Sequence, residues 1–356
     1  MRVTTGLPYT VTLMMLTASL SVGFSLRSIY PRVSMRIKSG SPVCDVLGFR
    51  RMNSARESSP RNSDAGTILD DVEETISSVL SNGIDENTNV LDLPANDREA
   101  VGVAIVLKRR LDAMKRSGDC RRCWLQQKHC VCDECPSLEA AALPKVNRLF
   151  LLTHHKEIGL VVDTAKLILS SFPSKARLVV GGIGREYQHS MGEMLDAFEG
   201  DRALVLFPSD SAVTFREIER HFDGTVKGDT DDSNDASWDV VVVDGTWQQA
   251  RKLYNRYIPE GGGPQRVELS EEAVRILGAE DASGHQLRRH PVKWREVSTL
   301  EATRLLLRDM MNDSYPSFSR ASSIKPWEEL AKYQSIGDAA AQEQLGPPRI
   351  SDKKQN

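Results

Sequence analysis

The sequence lacks a strong net charge, scattered cysteines and internal repeats, and each absence excludes a class of protein. Its 46 Lys and Arg residues against 49 Asp and Glu give a net charge of −3, so any RNA contact has to come from a local basic patch. Five of its six cysteines lie between Cys120 and Cys135, which argues against a disulfide-stapled secreted domain. The sequence shows no repeat with a period of 20 to 50 residues, which argues against a solenoid. The 356 residues, 40% of them hydrophobic, suffice for a sizeable core in one or two domains.

The N-terminal segment contains no acidic residue over positions 1–44, although it carries several basic ones. Its apolar stretch from Val11 to Leu26 is too short and too mixed to predict a membrane span. That stretch resembles the core of a signal peptide, and the Ser- and Arg-rich segment after it resembles an organelle transit peptide. We therefore predict that residues 1–66 are a largely disordered targeting segment and linker. A plastid is the preferred destination and a mitochondrion is the second. No stable membrane association is expected after processing. If the segment is not a targeting peptide, the protein is expected in the cytoplasm.

Hydrophobic periodicity predicts two helices, over about 67–80 and 94–116, ahead of an alternating region. In that region we predict strands at 148–152, 177–180, 203–207, 239–244 and 266–269. The helices predicted between and after them are at 160–171, 191–198, 211–222, 248–257 and 299–311. Because a continuously apolar strand such as Val240–Val243 is buried on both faces, the alternation predicts an α/β fold with a mostly parallel sheet covered by helices.

Two polar stretches, 223–237 and 339–356, are not expected to bury enough apolar surface to offset their ordering entropy. The first is acidic and has the character of an insertion. We therefore divide the chain into N-terminal helices at 67–117, an α/β domain at 118–313 and a C-terminal tail at 314–356. The α/β domain begins with a cysteine-rich loop at 118–135.

That loop contains Cys120-x-x-Cys123 and Cys130-x-Cys132, a spacing that can bring four thiolates to one tetrahedral ion. Structural Zn²⁺ is the expected ion, and metal binding would itself order a segment that has almost no core. Cys135 is either a spare cysteine or a substitute for Cys132. An iron–sulfur cluster and a set of unliganded cysteines are the alternatives.

The most specific string is a buried strand that ends in Asp244 and is followed by Gly-Thr-Trp and a helical pattern. In open α/β sheets, ligands bind outside the carboxyl ends of the strands, so Asp244 is placed for chemistry. Gly245 allows a tight turn, and Thr246 can cap the helix. Trp247 either packs in the core or shapes a pocket. A simple strand–turn–helix junction is the alternative interpretation.

With the other strings around it, the chain resembles the DTW-domain family, which is named for an Asp-x-Thr-Trp signature. The resemblance covers about 118–313 and includes five motifs in the family's order. Besides Asp244–Trp247, they are the four-cysteine cluster, Thr153–Glu157, Leu206–Ser209, and Leu287–Arg289 followed by Ser298–Ala302. Two departures are visible. Gln126 and His155 stand where members of the family often have Pro.

The resemblance implies transfer of the 3-amino-3-carboxypropyl group of S-adenosylmethionine to N3 of a uridine in tRNA, with release of methylthioadenosine. It also implies a SPOUT-like fold, a parallel sheet with a deep knot near the cofactor. The residues expected to bind the cofactor lie at strand ends: Leu206, Phe207, Pro208, Ser209, Gly245, Ser298, Thr299 and Glu301. Asp244, Thr246 and Trp247 are the catalytic candidates. Asp244 is expected either to accept the N3 proton or to bind the cofactor's amino group. His154 and Glu157 are further candidates for the site, and Glu301 has the alternative of pairing on its own helix.

A basic stretch from Lys108 to Arg122 is the predicted RNA contact, although a solvated helix face is the alternative. Its candidate residues are Arg109, Arg110, Lys115, Arg116, Arg121 and Arg122. Arg288 and Arg289 are expected to hold an RNA phosphate or the cofactor's carboxylate. Two other functions fit the sequence, a SPOUT-like RNA methyltransferase and a non-catalytic RNA-binding module. The oligomeric state is not predicted.

Overall fold

Parallel strands form a six-stranded sheet at the centre of the fold. The structure, a computed structural model, describes residues 68–81, 90–139, 141, 143–225, 237–280, 297–311 and 324–346, all within one unit that spans 61–356. The strands are β1 (Val146–His154), β2 (Ala176–Gly181), β3 (Ala203–Leu206), β4 (Val213–Thr214), β5 (Trp238–Asp244) and β6 (Gln265–Glu268). Their order is β2-β1-β5-β3-β6-β4, and every neighbouring pair is parallel. The mostly parallel sheet is therefore confirmed, whereas the knot stays a prediction.

The register of the central strands brings their carboxyl ends to one edge of the sheet. Thr153 of β1 is paired with Asp244 of β5, and Leu206 of β3 is paired with Val242 of β5. The chain segments that leave β1, β5 and β3 therefore emerge side by side. This is the edge at which α/β sheets bind their ligands.

Helices cover both faces of the sheet, as the alternation predicts. The helices are α1 (Ile68–Ser81), α2 (Ala95–Ser117), α3 (Ala165–Ser171), α4 (His189–Ala197), α5 (Phe215–Thr225), α6 (Trp247–Tyr257), α7 (Glu271–Glu280), α8 (Thr299–Met311) and α9 (Pro326–Leu345). Side chains of α4 and α6 form one apolar cluster with alternate strand residues. The other cluster holds the remaining strand residues with α1, α2, α3, α5, α8 and α9. Within the described residues, no helix is both long and apolar enough to cross a bilayer.

The C-terminal region departs from the prediction of a tail that buries little. Residues 326–345 form α9, which packs against α8 and α3. The composition of this segment is mostly polar, and its few large apolar residues lie on one buried face. These buried residues include Trp327, Leu330, Tyr333 and Ala341. The acidic stretch begins inside α5, while residues 226–236 lie outside the described residues, as do residues 1–67 and 347–356.

We expect Leu330→Ala to lower the free energy of unfolding by about 2 to 3 kcal/mol, because the side chain is fully buried in the core. The control on the same helix is Ser335→Ala, an exposed position that should change stability by less than about 0.5 kcal/mol. Urea unfolding of the full chain measures both values. Equal stability of the two variants would show that α9 is not packed as described.

Candidate active site and metal centre

The turn after β5 begins the candidate active site. Gly245 has φ +150°, a conformation that side-chain-bearing residues rarely adopt. A Cβ at this position would also lie 3.1 Å from Cβ of Gln249 and 3.4 Å from Cβ of His154. The backbone amide of Thr246 donates to Oε1 of Gln249 at 2.7 Å, which fixes the start of α6. Gly245 thus lets the turn lie directly against the segment that follows β1.

Asp244 joins the end of β5 to the start of α8. The hydroxyl of Thr299 donates to Oδ1 of Asp244 at 2.5 Å, and Ser298 accepts the backbone amide of Glu301 at 3.1 Å as a helix cap. The Asp244 side chain is only 1% exposed. A proton acceptor has to reach the proton it removes, and in this arrangement the carboxylate is covered. The predicted role as a base therefore stays a prediction, and the contact with Thr299 is what the structure shows.

Trp247 is not a core residue, since 43% of it is exposed. Its indole stacks on Phe207, the residue after β3, with ring centroids 5.5 Å apart. Phe207 also stacks on Tyr254 of α6, at 4.2 Å. Trp247 thereby brings the turn after β5 against the loop after β3.

The predicted cofactor-binding residues after β3 differ in exposure. Leu206 and Phe207 are buried, Pro208 is exposed and Ser209 is partly buried. The hydroxyl oxygen of Ser209 is itself buried and has no hydrogen-bond partner among the described residues. A buried hydroxyl of this kind is available to a ligand group that enters beside it.

Two stacked histidines follow β1 at the same edge. The ring centroids of His154 and His155 lie 4.4 Å apart, and Nδ1 of His154 accepts the backbone amide of Lys156 at 3.2 Å. Burial lowers the pKa of His154 to about 4, helped by the charges of His155, Lys156 and Lys252. Burial also lowers the pKa of His155. Both imidazoles are therefore neutral at neutral pH. Glu157, the other candidate here, has a buried side chain.

The pKa of His154 gives a prediction for the pH dependence of stability. The pKa is 6.5 in an unperturbed histidine and about 4 in the folded protein, so the unfolded chain binds more protons between these pH values. Stability should therefore fall as the pH drops from 6.5 to 4. We expect His154→Asn to flatten this part of the stability curve. The histidine Cε1 proton resonance assigned by that variant should titrate near pH 4, and titration near 6.5 would contradict the burial.

The four predicted cysteine ligands converge on one point. The Sγ atoms of Cys120, Cys123, Cys130 and Cys132 all lie within 4.8 Å of one another. Cys120 and Cys132 are 3.5 Å apart, and Cys123 and Cys130 are 3.7 Å apart. Sulfurs around a tetrahedral ion at about 2.3 Å are spaced by roughly 3.8 Å, so this cluster fits a metal ion. Cys135 is buried, but its sulfur is not among the four that converge, so Cys132 and not Cys135 completes the set.

The chain matches a family model described as "DTW domain" over residues 117–338. This chain belongs to the DTW domain family. Its DTW domain therefore extends past the predicted limit at 313 and includes the first part of α9, in agreement with the packing of that helix.

Two curated relatives carry the name "tRNA-uridine aminocarboxypropyltransferase 2". The protein from Macaca fascicularis is 25% identical over 227 residues, which cover 63% of this chain and 66% of the relative. The protein from Mus musculus is 26% identical over 141 residues, which cover 39% of this chain and 42% of the relative. The matches thus span less than two thirds of either relative. No solved structure matches this chain.

Glu301 forms an ion pair within its own helix, α8. Its carboxylate accepts from Nη2 of Arg304 at 3.3 Å, and both side chains are largely buried. This is the pairing on its own helix that the sequence left open as the alternative to cofactor binding. Arg304 was missed as a component of the site region, although the Glu-x-x-Arg spacing on one helix face indicates such a pair.

The predicted RNA-binding stretch, which runs from α2 into the start of the DTW domain, separates into two groups. Arg110 donates to the backbone carbonyls of Lys156 and Ile158, so it supports the loop after β1. Arg121 pairs with Asp70 and Glu73 of α1, and Lys115 also pairs with Glu73. The remaining candidates, which are exposed, are Arg109, Arg116 and Arg122. Arg288 and Arg289 lie outside the described residues.

Proposed function

We propose that the protein transfers the 3-amino-3-carboxypropyl group of S-adenosylmethionine to N3 of a uridine in tRNA and releases methylthioadenosine. One observation carries the proposal. The segments after β1, β3 and β5 and the start of α8 meet at the carboxyl edge of a parallel sheet, in a chain of the DTW domain family. The printed names of the two mammalian relatives support the group transferred and the tRNA acceptor.

The reaction is an alkyl transfer from a sulfonium. A bond forms between N3 and the terminal carbon of the aminocarboxypropyl chain, the bond from that carbon to sulfur breaks, and its electron pair stays on sulfur. The N3 proton leaves to an acceptor. Since three carbons surround the sulfonium, the protein has to present the long chain and shield the methyl group. Most of the rate gain would come from that orientation.

The described residues suit a positioning site. Trp247, stacked on the buried ring of Phe207, borders the loop after β3, and Ser209 offers a hydroxyl to the cofactor. Ser298 and Thr299 place the first turn of α8 beside them. We assign Asp244 a positioning role, in which its carboxylate holds Thr299 and therefore the first turn of α8. A role as the proton acceptor would require the carboxylate to be uncovered when the substrates bind.

We further propose Zn²⁺ as the ion of the four-cysteine cluster. Four thiolates give zinc a closed tetrahedral shell with no position for water or substrate. The ion would therefore order the loop at 118–135 and take no part in the transfer.

Mass spectrometry of tRNA incubated with purified protein and S-adenosylmethionine tests the activity. The proposal expects one uridine to gain the whole aminocarboxypropyl group and methylthioadenosine to appear in equal amount. Gain of a single methyl group would support a SPOUT-like methyltransferase instead. If the protein bound RNA but neither bound the cofactor nor changed the RNA, a non-catalytic RNA-binding module would replace the proposal.

A further inference from the structure

The outer face of α6 is a second basic surface, separate from the stretch 108–122. The helix from Trp247 to Tyr257 contains Arg251, Lys252 and Arg256 and has no acidic residue. The exposed residues of this face are Trp247, Gln248, Arg251, Lys252, Asn255 and Arg256. Cations interleaved with aromatic rings are the composition that suits a nucleic-acid backbone and its bases.

Arg251 and Lys252, the two cations in the middle of α6, are exposed. The guanidinium of Arg251 lies 5.8 Å from the ring centroid of Trp247. Neither Arg251 nor Lys252 forms an ion pair within the part of the chain that the structure describes. Lys252 is exposed on α6, whose first turn lies against His154 through Gly245 and Gln249, so this cation belongs to the helix that borders the candidate active site. The exposed indole and these two charges therefore lie together at the edge where the transfer is proposed.

A cavity of about 310 Å³ lies at the other end of α6. Its lining includes Gly182, Ile183 and Gly184 after β2, together with Glu99, Arg256 and Tyr257. The backbone amide of Gly182 donates to the Tyr257 hydroxyl at 2.8 Å, and Arg256 pairs with Glu99. The volume is at the lower end of the range for ligand pockets. The cavity continues the exposed face of α6 and offers a recess next to it.

We propose that the outer face of α6, from Trp247 to the cavity at Tyr257, binds the substrate RNA. Arg251 and Lys252 contact backbone phosphates, and Trp247 offers its exposed ring to a base. The cavity receives one unstacked nucleotide, since proteins recognise RNA mainly through such splayed bases. This inference rests on the proposed function for the identity of the RNA as tRNA.

Fluorescence anisotropy with labelled tRNA, in the absence of S-adenosylmethionine, tests the surface. The double variant Arg251→Gln/Lys252→Gln should weaken binding about 10-fold. It should also reduce the slope of log K against log salt concentration by about 1.4 to 1.8, because two phosphate contacts are lost. A merely structural effect would leave that slope unchanged. Thermal melts check that the variants are folded.

The matched control is Arg220→Gln/Arg275→Gln, which removes two exposed cations from α5 and α7. These helices pack with α8 on the opposite face of the sheet, so affinity and slope should both stay at the wild-type values. An equal loss in the control would show a non-specific charge effect and overturn the proposal. Unchanged binding in the α6 variant, or a larger loss in Arg109→Gln/Arg116→Gln on α2, would also overturn it.

The cavity is tested separately with Leu195→Trp, which places a large ring at a partly buried lining position on α4. We expect weaker tRNA binding with an unchanged salt slope, because no phosphate contact is removed. Wild-type affinity in a folded variant would exclude the cavity as a nucleotide site. The mass-spectrometric assay of the wild-type protein remains independent of these measurements. RNA binding through α6 without any modified uridine would support this inference and reject the proposed function.

Discussion

Replacing Cys123 with serine should abolish the proposed zinc binding and lower the free energy of unfolding by more than about 4 kcal/mol. A serine hydroxyl is a poor ligand for the ion, and three thiolates leave the shell open. Loss of a structural metal belongs to the small class of changes with effects of this size. Metal analysis of the purified variant, together with urea unfolding with and without a chelator, measures the result. The wild-type protein should lose the same stability when the metal is removed.

Cys135→Ser is the matched control. This cysteine lies three positions after Cys132 and is buried, but its sulfur is not among the four that converge. The variant should keep one equivalent of zinc and lose only the modest stability of a buried polar substitution. Zinc loss in Cys135→Ser, or full zinc content in Cys123→Ser, would show that the ligand set is wrong. A brown protein that contains iron would identify an iron–sulfur cluster instead.

The loss of stability on metal removal should extend beyond the loop at 118–135, because the first and last described helices, α1 and α9, both form hydrogen bonds with it. Arg121 pairs with Asp70 at 2.5 Å and with Glu73 at 2.9 Å on α1. The backbone amide of Gln126 donates to Oε1 of Gln344 on α9 at 2.9 Å. Helix α9 in turn packs on α8, whose first turn reaches Asp244. We therefore expect disorder of the loop at 118–135 to loosen the helix that carries Thr299.

The sequence predicts well those features that are encoded in a short run of consecutive residues. Four valines before Asp244 predict a strand buried on both faces, and the strand is there. The Cys-x-x-Cys and Cys-x-Cys spacings predict four convergent sulfurs, and the distances agree with that. The strand-end rule likewise brings Thr153, Asp244 and Leu206 to neighbouring positions at one edge.

The features that the sequence did not predict depend on partners that are distant along the chain. Arg121 looks available for RNA until Asp70 and Glu73 are seen beside it, about 50 residues earlier. The hydroxyl that donates to the buried carboxylate of Asp244 belongs to Thr299, which is 55 residues later. Helix α9 was missed because its few apolar residues gain their buried surface from α3 and α8. By contrast, the acid-free composition of α6 was visible in the sequence and could have indicated a basic surface.

Asp244→Ala should reduce the rate of transfer about 100-fold while tRNA affinity stays unchanged. Without the carboxylate, the Thr299 hydroxyl loses its acceptor and the first turn of α8 is no longer fixed against β5. A displacement of about 1 Å in a positioning site is enough for a loss of this size. Thr299→Val should give a similar loss, and the double variant should be little worse than either single one, because the two side chains act as a unit.

Conservative variants separate the positioning role of Asp244 from a role as the proton acceptor. Asp244→Asn keeps an oxygen that accepts from Thr299, and Thr299→Ser keeps the hydroxyl that donates. If Asp244 only positions α8, both should recover to within about 10-fold of the wild-type rate, since each preserves the hydrogen bond that orders the turn. The pH profile of kcat/KM should then keep its shape in Asp244→Asn. If the carboxylate accepts the N3 proton, Asp244→Asn should be as slow as Asp244→Ala, and the ionisation on the acidic side of the profile should disappear. That second outcome would mean that the buried carboxylate seen here becomes accessible when cofactor and RNA bind.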